Sequence, residues 1–123
     1  SEAQVANAIV DPESRLAKLE EVESYYLYAL QLDPYYGEVL FGLSVLYIFE
    51  LDMPADAEIY LERLLSLESN HYRGMFLLAR VYVQFGRVDD AIDLYNRIVK
   101  ESGNEEQVQN AKDNRSALTG DYR

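Results

Sequence analysis

Residues 74–99 read GMFLLARVYVQFGRVDDAIDLYNRIV and place two apolar runs on either side of Gly86. Within each run the apolar side chains recur at the i, i+3, i+4 and i+7 spacing of one helical face. We expect Gly86 to end the first helix and Asp89-Asp90 to begin the second, where carboxylates meet the positive end of the helix dipole. The face residues are Leu78, Val81, Tyr82 and Phe85, then Ala91, Leu94, Tyr95, Ile98 and Val99. The segment is therefore predicted to form two helices joined by a tight turn.

The chain contains this two-helix pattern more than once. When the sequence is shifted by about 34 residues, positions of similar size and polarity coincide. The shift is 35 between Tyr47 and Tyr82 and 34 between Ala57 and Ala91, so we expect one extra residue in the turn near residues 51–54. The other coinciding pairs are Leu40 and Met75, Leu43 and Leu78, Ser44 and Ala79, Leu61 and Tyr95, Arg63 and Arg97, and Leu64 and Ile98.

These positions resemble the signature of the tetratricopeptide repeat, a helix–turn–helix of 34 residues written W-x2-L-G-x2-Y and then A-x3-F. The third unit has Met75, Leu78, Ala79 and Tyr82, followed by Ala91 and Tyr95. The resemblance implies an all-α fold, in which antiparallel helix–turn–helix repeats stack into a right-handed superhelix with a C-terminal capping helix. The implied single domain, residues 1–123, comprises a degenerate first repeat (1–36), a second repeat (37–71), a third repeat (72–105) and the capping helix (104–119).

The two ends of the chain depart from the repeat pattern. Asp11-Pro12 is a helix start, in which the aspartate caps and the proline occupies the first turn, and it interrupts the helix expected there. We therefore predict a short helix over 2–10 and a long helix over 12–32. At the other end, Asn104 is expected to cap a last helix that Gly120 ends. We interpret that helix as the solvating cap that repeat arrays need.

Composition excludes several classes of function. The 123 residues include 11 Lys and Arg and 22 Asp and Glu, so the formal net charge is −11. Nucleic acid and anionic membrane surfaces are poor partners for such a chain, because both require positive potential. The absence of cysteine excludes a disulfide framework, a zinc ribbon and a thiol nucleophile. No apolar run approaches the ~18 residues that a membrane helix needs, so no membrane insertion is predicted.

The negative charge belongs to one half of the chain. Residues 1–70 contain 14 acids and three bases, whereas residues 71–123 contain eight of each. A partner therefore has to match a lopsided electrostatic field.

No catalytic or metal-binding pattern occurs in the sequence. His71 is the only histidine, and we interpret it as a solvated residue of the turn between repeats. Acidic residues crowd the turn inside the second repeat, but the D-x-[DN]-x-[DN]-G loop of a calcium site is absent. These residues are Glu50, Asp52, Asp56 and Glu58. The prediction is a non-enzymatic protein with no metal and no cofactor.

The resemblance also implies where a partner binds. In this family the first helix of each repeat lines an extended concave groove. The implied groove residues are Glu38, Phe41, Val45, Ile48 and Phe49 in the second repeat, and Arg73, Phe76, Arg80, Val83 and Gln84 in the third. Some family members hold a chaperone's terminal carboxylate through a Lys/Asn/Arg clamp, which this chain does not reproduce. Such repeats occur in the cytosol, the periplasm and organelles alike, so the sequence assigns no compartment.

The resulting hypothesis is a protein-interaction module that binds a peptide segment of a partner protein in this groove. One alternative is a structural segment of a longer solenoid, or a scaffold that associates with itself. Another is a secretion-type chaperone that holds an unfolded client.

Two groups of groove residues allow a second interpretation. Phe41, Ile48 and Phe49 pack either against a partner or against the long first helix. Arg73 and Arg80, two turns apart on one helical face, either bind an acidic group or neutralise the acidic amino-terminal half.

Tyrosine is unusually frequent, with 11 residues. The alignment of repeats makes Tyr26, Tyr47, Tyr82 and Tyr95 core residues. A second set falls outside the motif and is expected to reach a surface or a neighbouring unit, where tyrosine is a favoured contact residue. That set is Tyr25, Tyr28, Tyr35, Tyr36 and Tyr72.

Overall fold

The structure, a computed structural model, describes residues 11–120 as a series of α-helices without a β-strand. The short helix predicted over 2–10 lies outside the described residues. The helices are α1 (Pro12–Leu32), α2 (Gly37–Val45, continued by a π-helical turn over Leu46–Glu50), α3 (Pro54–Leu67), α4 (Tyr72–Gln84), α5 (Val88–Glu101) and α6 (Glu105–Thr119). None of the helices in this part of the chain is long and apolar enough to cross a lipid bilayer.

Helices that follow one another in the chain also pack against one another in space. The extensive interfaces join α2 to α3, α3 to α4, α4 to α5 and α5 to α6, and α1 packs on α2 and its π-helical turn. Two helix pairs, α2–α3 and α4–α5, are thus stacked between α1 and α6. The prediction of an all-α fold of stacked helix–turn–helix repeats is confirmed.

Most of the core is formed by the positions that coincide between the repeats. Small residues on both helices of each pair are fully buried, namely Ser44 and Ala57 in the first pair and Ala79 and Ala91 in the second. They let the helix axes approach closely, while large residues fill the space beside them. The Ser44 hydroxyl donates to the carbonyl of Leu40 at 2.7 Å, so its polar group is satisfied. The large buried residues at motif positions include Leu43, Tyr47, Leu61, Met75, Tyr82, Tyr95 and Ile98.

The ends of the first and last described helices follow the predicted caps. The Asp11 carboxylate accepts a hydrogen bond from the backbone N–H of Ser14 at 2.7 Å, and this bond lowers the pKa of Asp11 below its ordinary value. Asn104 accepts from the N–H of Gln107 at 2.9 Å where α6 begins. Gly120 ends α6 with a left-handed φ of 75°. The long helix over 12–32 is confirmed, and a last helix lies where the capping helix was predicted.

The extra residue of the second repeat lies in a helix and not in the turn that follows it. α2 with its π-helical turn has 14 residues, against 13 in α4, and three residues follow each of them before the next helix. The N–H of Leu51 donates to the carbonyl of Leu46 at 2.9 Å, which is the i→i+5 bond of a π turn. A π turn absorbs one inserted residue while its backbone groups stay hydrogen-bonded. The position expected for the insertion, residues 51–54, was therefore wrong.

Two arginines at equivalent positions of the repeats donate hydrogen bonds to the turn that precedes each helix pair. Arg63 of α3 donates to the carbonyl of Pro34 at 3.3 Å, and Arg97 of α5 donates to the carbonyl of Ser69 at 2.9 Å. A charged donor strengthens such a hydrogen bond. The coincidence of Arg63 and Arg97 in the repeat alignment thus has a structural reason, since both close the turn that precedes their own repeat.

The tyrosines divide largely as the motif predicts. Tyr47, Tyr82 and Tyr95 are buried, and Tyr26 is half-buried against Gly42, where an added Cβ would lie 3.0 Å from the tyrosine hydroxyl. Tyr25, Tyr28, Tyr35 and Tyr36 are exposed, whereas Tyr72 is half-buried against the core. The exposed set is concentrated on α1 and the turn after it.

Candidate functional site

Two arginines of α4 stack on two phenylalanines of α2 and its π-helical turn. The guanidinium carbon of Arg73 lies 4.8 Å from the ring centre of Phe41, and that of Arg80 lies 5.0 Å from the ring centre of Phe49. Both distances are within the ~6 Å over which a cation is attracted to an aromatic face. Four of the predicted groove residues are thus brought together as two arginine–phenylalanine pairs.

Among the residues that the structure describes, no acidic side chain engages these two arginines. Within residues 11–120, the ion pairs join Arg15 to Glu50 and Arg87 to Glu58 and Asp90. Neither Arg73 nor Arg80 lies within ion-pair distance of a carboxylate in that range. The arginines are therefore not paired with the described part of the acidic half, residues 11–70, and instead lie over the rings of Phe41 and Phe49.

An open cleft of about 430 Å³ lies beside the second of these pairs. Its apolar lining comes from α4, α5 and α6 and from Phe49 in the π-helical turn. Three polar side chains face it: Arg80, Asn114 and Tyr95. The full lining is Phe49, Phe76, Leu77, Arg80, Val83, Tyr95, Asn114, Ala117 and Leu118. An apolar cleft with a few convergent polar groups is a candidate binding site.

Tyr95 links the polar and apolar parts of the cleft. Its ring is tilted by 53° against Phe76, with the ring centres 6.1 Å apart, and the residue is buried. Burial raises the pKa of Tyr95, while hydrogen bonding with the Asn114 side chain and the positive charge of Arg80 act in the opposite direction. Arg80, Asn114 and Tyr95 are the polar residues of the cleft lining.

The predicted groove residues do not all meet at one place. Phe49, Phe76, Arg80 and Val83 line the cleft, and Phe41 with Arg73 forms the second stacked pair. Four others take no part in the cleft: Glu38 and Gln84 are exposed, and Val45 and Ile48 are half-buried. The role of all ten residues in partner binding stays a prediction.

Sequence reasoning missed the contribution of α6. Asn114, Ala117 and Leu118 line the cleft, although the sequence predicted only a cap for this helix. A signal was present, because adding the 34-residue period to Arg80, Val83 and Gln84 leads to these three positions. The same helix can line the cleft and cover the end of the core, since α6 also buries Ala111 completely.

His71 has a structural role that the sequence did not indicate. Its Nδ1 accepts a hydrogen bond from the N–H of Gly74 at 2.9 Å, so the side chain caps the start of α4. Its ring centre lies 5.0 Å from that of Phe41, and the residue is half-buried. The interpretation of His71 as a solvated turn residue was therefore wrong, because an imidazole nitrogen can satisfy a free N–H of a helix start as an Asn side chain does.

The acidic residues of the second repeat do not gather into a metal site. Glu50 pairs with Arg15, and Glu58 pairs with Arg87. Within residues 11–120, no group of three or more His, Asp or Glu side chains is arranged to hold a metal ion.

Comparison with known proteins assigns the family. A tetratricopeptide repeat family model matches residues 49–114, which is more than half of the chain. The chain belongs to the tetratricopeptide repeat (TPR) family. The matched segment runs from Phe49 to Asn114 and so includes every cleft residue except Ala117 and Leu118. TPR repeats generally mediate protein–protein interaction or scaffolding, and the family is generally a non-enzymatic one.

One relative of this TPR chain is a "TPR repeat-containing protein" of Borreliella burgdorferi. The two are 29% identical over 68 residues, which cover 55% of this chain and 30% of the relative. The similarity thus spans less than a third of the relative's length.

Proposed function

We propose that this TPR chain is a non-enzymatic interaction module that binds a peptide segment of a partner protein on the side formed by α2, α4 and α6. The cleft between Phe49, α4 and α6 supports this proposal most strongly. It combines an apolar lining with Arg80 and Asn114 in an open position. These are the features of a site that takes an apolar anchor and orients the chain around it.

Binding would be driven mainly by burial of one partner side chain. A Leu or Phe side chain moved from water into the cleft against Phe76, Val83 and Leu118 contributes about 1.5–3 kcal/mol. Hydrogen bonds from Arg80 to the partner add orientation and a further contribution. A single anchor of this size corresponds to weak binding, so we expect dissociation constants between about 1 μM and 1 mM for a short peptide.

The test is a selection from a random peptide library displayed on phage, followed by affinity measurements on the synthesised peptides by fluorescence anisotropy. Phe76→Ala and Arg80→Glu should each weaken binding by roughly tenfold while the helical circular dichroism is retained. Ile59→Ala is the matched control, because Ile59 is exposed on α3 and does not line the cleft. If no selected peptide depends on Phe76 or Arg80, the cleft is not the binding site.

A specific observation favours a second function, self-association or extension of a solenoid. One side of α1 exposes Val22, Tyr25, Tyr28 and Leu32, with 65% of Tyr25 and 72% of Leu32 accessible. No helix of residues 11–120 other than α2 with its π-helical turn packs extensively on α1. An exposed apolar stripe of this kind is typical of a contact surface.

Light scattering at several protein concentrations tests this second function. Association through α1 predicts a mass that rises with concentration and returns to that of one chain in Leu32→Lys. The matched control Ile59→Lys places the same charge on α3 and should leave association unchanged. A mass of one chain at every concentration would argue against association with itself.

A further inference from the structure

We infer that the groove selects acidic peptide segments, in which two carboxylates bind the arginines of the two arginine–phenylalanine pairs and an apolar residue between them enters the cleft. The inference rests on the proposed function, because it names the chemistry of the segment that the groove binds. It is carried by the state of Arg73 and Arg80, whose charges are stacked on rings and not paired with acids in residues 11–120.

Stacking prepares an arginine to bind a carboxylate. A guanidinium over an aromatic face is held by the ring, while its N–H groups point outward in the guanidinium plane. The planar fork of N–H groups matches the two oxygens of a carboxylate. Part of the side-chain entropy lost on binding is therefore already lost in the free protein. Both arginines are exposed, so a ligand reaches them without displacing the fold.

The spacing of the two arginines defines the spacing of the acids. Arg73 and Arg80 are seven residues apart on α4, which corresponds to about 10.5 Å along the helix axis. An extended chain of polyproline type advances about 3.1 Å per residue with three residues per turn, so side chains at i and i+3 lie on one face about 9 Å apart. The matching segment has acids at i and i+3 with apolar residues between them. A chain terminus supplies one α-carboxylate and matches only one of the two arginines.

We do not expect Arg73 and Arg80 to bind a peptide carboxylate equally tightly. Glu38 precedes Phe41 by one turn on α2 and is exposed, so its charge opposes a carboxylate that binds at Arg73. Asn114 lines the same cleft as Arg80, and its amide N–H groups are additional donors there. We therefore expect the carboxylate next to the apolar anchor, at Arg80, to contribute more selectivity than the one at Arg73.

The probe is a fluorescein-labelled peptide GSDLFDGS with an amidated C-terminus, compared with GSNLFNGS, in which both acids are replaced by amides of the same shape. Affinity is measured by fluorescence anisotropy at about 50 and 500 mM salt. The acidic peptide should bind about tenfold more tightly at low salt, and the difference should shrink at high salt because exposed charges are screened. Arg80→Gln should remove most of this preference and Arg73→Gln a smaller part.

Lys100→Gln is the matched control, because it removes a positive charge from an exposed residue of α5 that lies outside the cleft. Equal affinity of the two peptides, or a preference that survives in the Arg73→Gln, Arg80→Gln double variant, overturns the inference. A peptide with a free C-terminal carboxylate that binds more tightly than the amidated one, through Arg80, would make a chain terminus the ligand and also overturn it. Library peptides that bind through Phe76 without acidic residues leave the proposed function standing and refute only the acidic selection. Absence of any library peptide that depends on the cleft refutes the proposed function itself.

Discussion

Gly86 provides a direct test of how the turn inside a repeat is stabilised. It connects α4 to α5 with φ at 78°, in the left-handed region that L side chains rarely adopt. A Cβ added there would meet no atom within 4 Å, so the cost of Gly86→Ala is purely conformational. Placing an L residue in this region costs about 1–2 kcal/mol, while the smaller conformational freedom of Ala in the unfolded chain returns about 0.4–1 kcal/mol. The expected loss of stability is therefore about 1 kcal/mol.

The equivalent position of the second repeat makes the argument sharper. Asp52 lies 34 residues before Gly86 and has φ at 51°, so it is the one non-glycine residue with a positive φ between residues 11 and 120. Aspartate tolerates this region through local hydrogen bonding of its side chain. Asp52→Gly should therefore stay within about 0.5 kcal/mol of the natural chain, because relief of strain and gain of unfolded-state freedom nearly cancel.

Urea and thermal unfolding followed by circular dichroism measure both changes. For a chain of this length, 1 kcal/mol corresponds to a shift of about 4 °C in Tm. Gly103→Ala is the matched control, because Gly103 has no positive φ and an added Cβ would meet no atom within 4 Å. The reasoning would be refuted if Gly86→Ala were as stable as Gly103→Ala, since the left-handed turn would then carry no conformational demand.

Two further predictions concern side chains that the fold brings into contact. His71→Ala should lower the free energy of unfolding by about 1 kcal/mol, because the N–H of Gly74 loses its hydrogen-bond acceptor. His71→Asn should retain most of the stability, because an Asn side chain also caps a helix start. If both variants matched the natural chain in urea unfolding, His71 would have no capping role. Burial, followed by the charge of Glu62, raises the pKa of Tyr82 to about 12, so the neutral phenol is favoured in the folded state. The stabilisation of the folded state by neutral Tyr82 is complete below about pH 10, the ordinary pKa of tyrosine in an unfolded chain. It is lost as the pH rises from about 10 to about 12. The urea concentration at the unfolding midpoint should therefore fall less steeply with pH, between pH 8 and 11.5, in Tyr82→Phe than in the control Tyr28→Phe. Equal slopes would show that ionisation of Tyr82 does not cause the loss of stability.

The helices and the core were predictable because they depend on local spacing. A period of 3.6 residues identifies α4 and α5 directly, and the 34-residue shift transfers the same pattern to α2 and α3. Asp11-Pro12 and Asn104 are local cap signals, and they act within three residues of the helix that they start. The resemblance to the TPR signature rests on the same local positions, which is why the family was identified correctly.

The candidate site was only partly predictable. The register of the repeat named Phe41, Phe49, Arg73 and Arg80 as residues of one face. Their pairing, however, joins residues about 31 apart in sequence, and depends on how far α2 and α4 are rotated and shifted against each other. A rotation of one helix by a fraction of a turn would place the guanidinium beside a different side chain.

Periodicity along this chain was sufficient for the all-α fold, the repeat register and the buried motif positions, because each depends on residues within a few turns of one another. Packing in three dimensions was needed for the rest. The extra residue of the second repeat is accommodated by a π turn in α2, because that turn keeps its backbone groups hydrogen-bonded. His71 caps α4 because that helix begins directly after it. The cleft exists because α6 lies against α5 and places Asn114 and Leu118 opposite α4. Local sequence specifies which face of a helix is apolar, whereas the angle between helices determines which side chains meet across it.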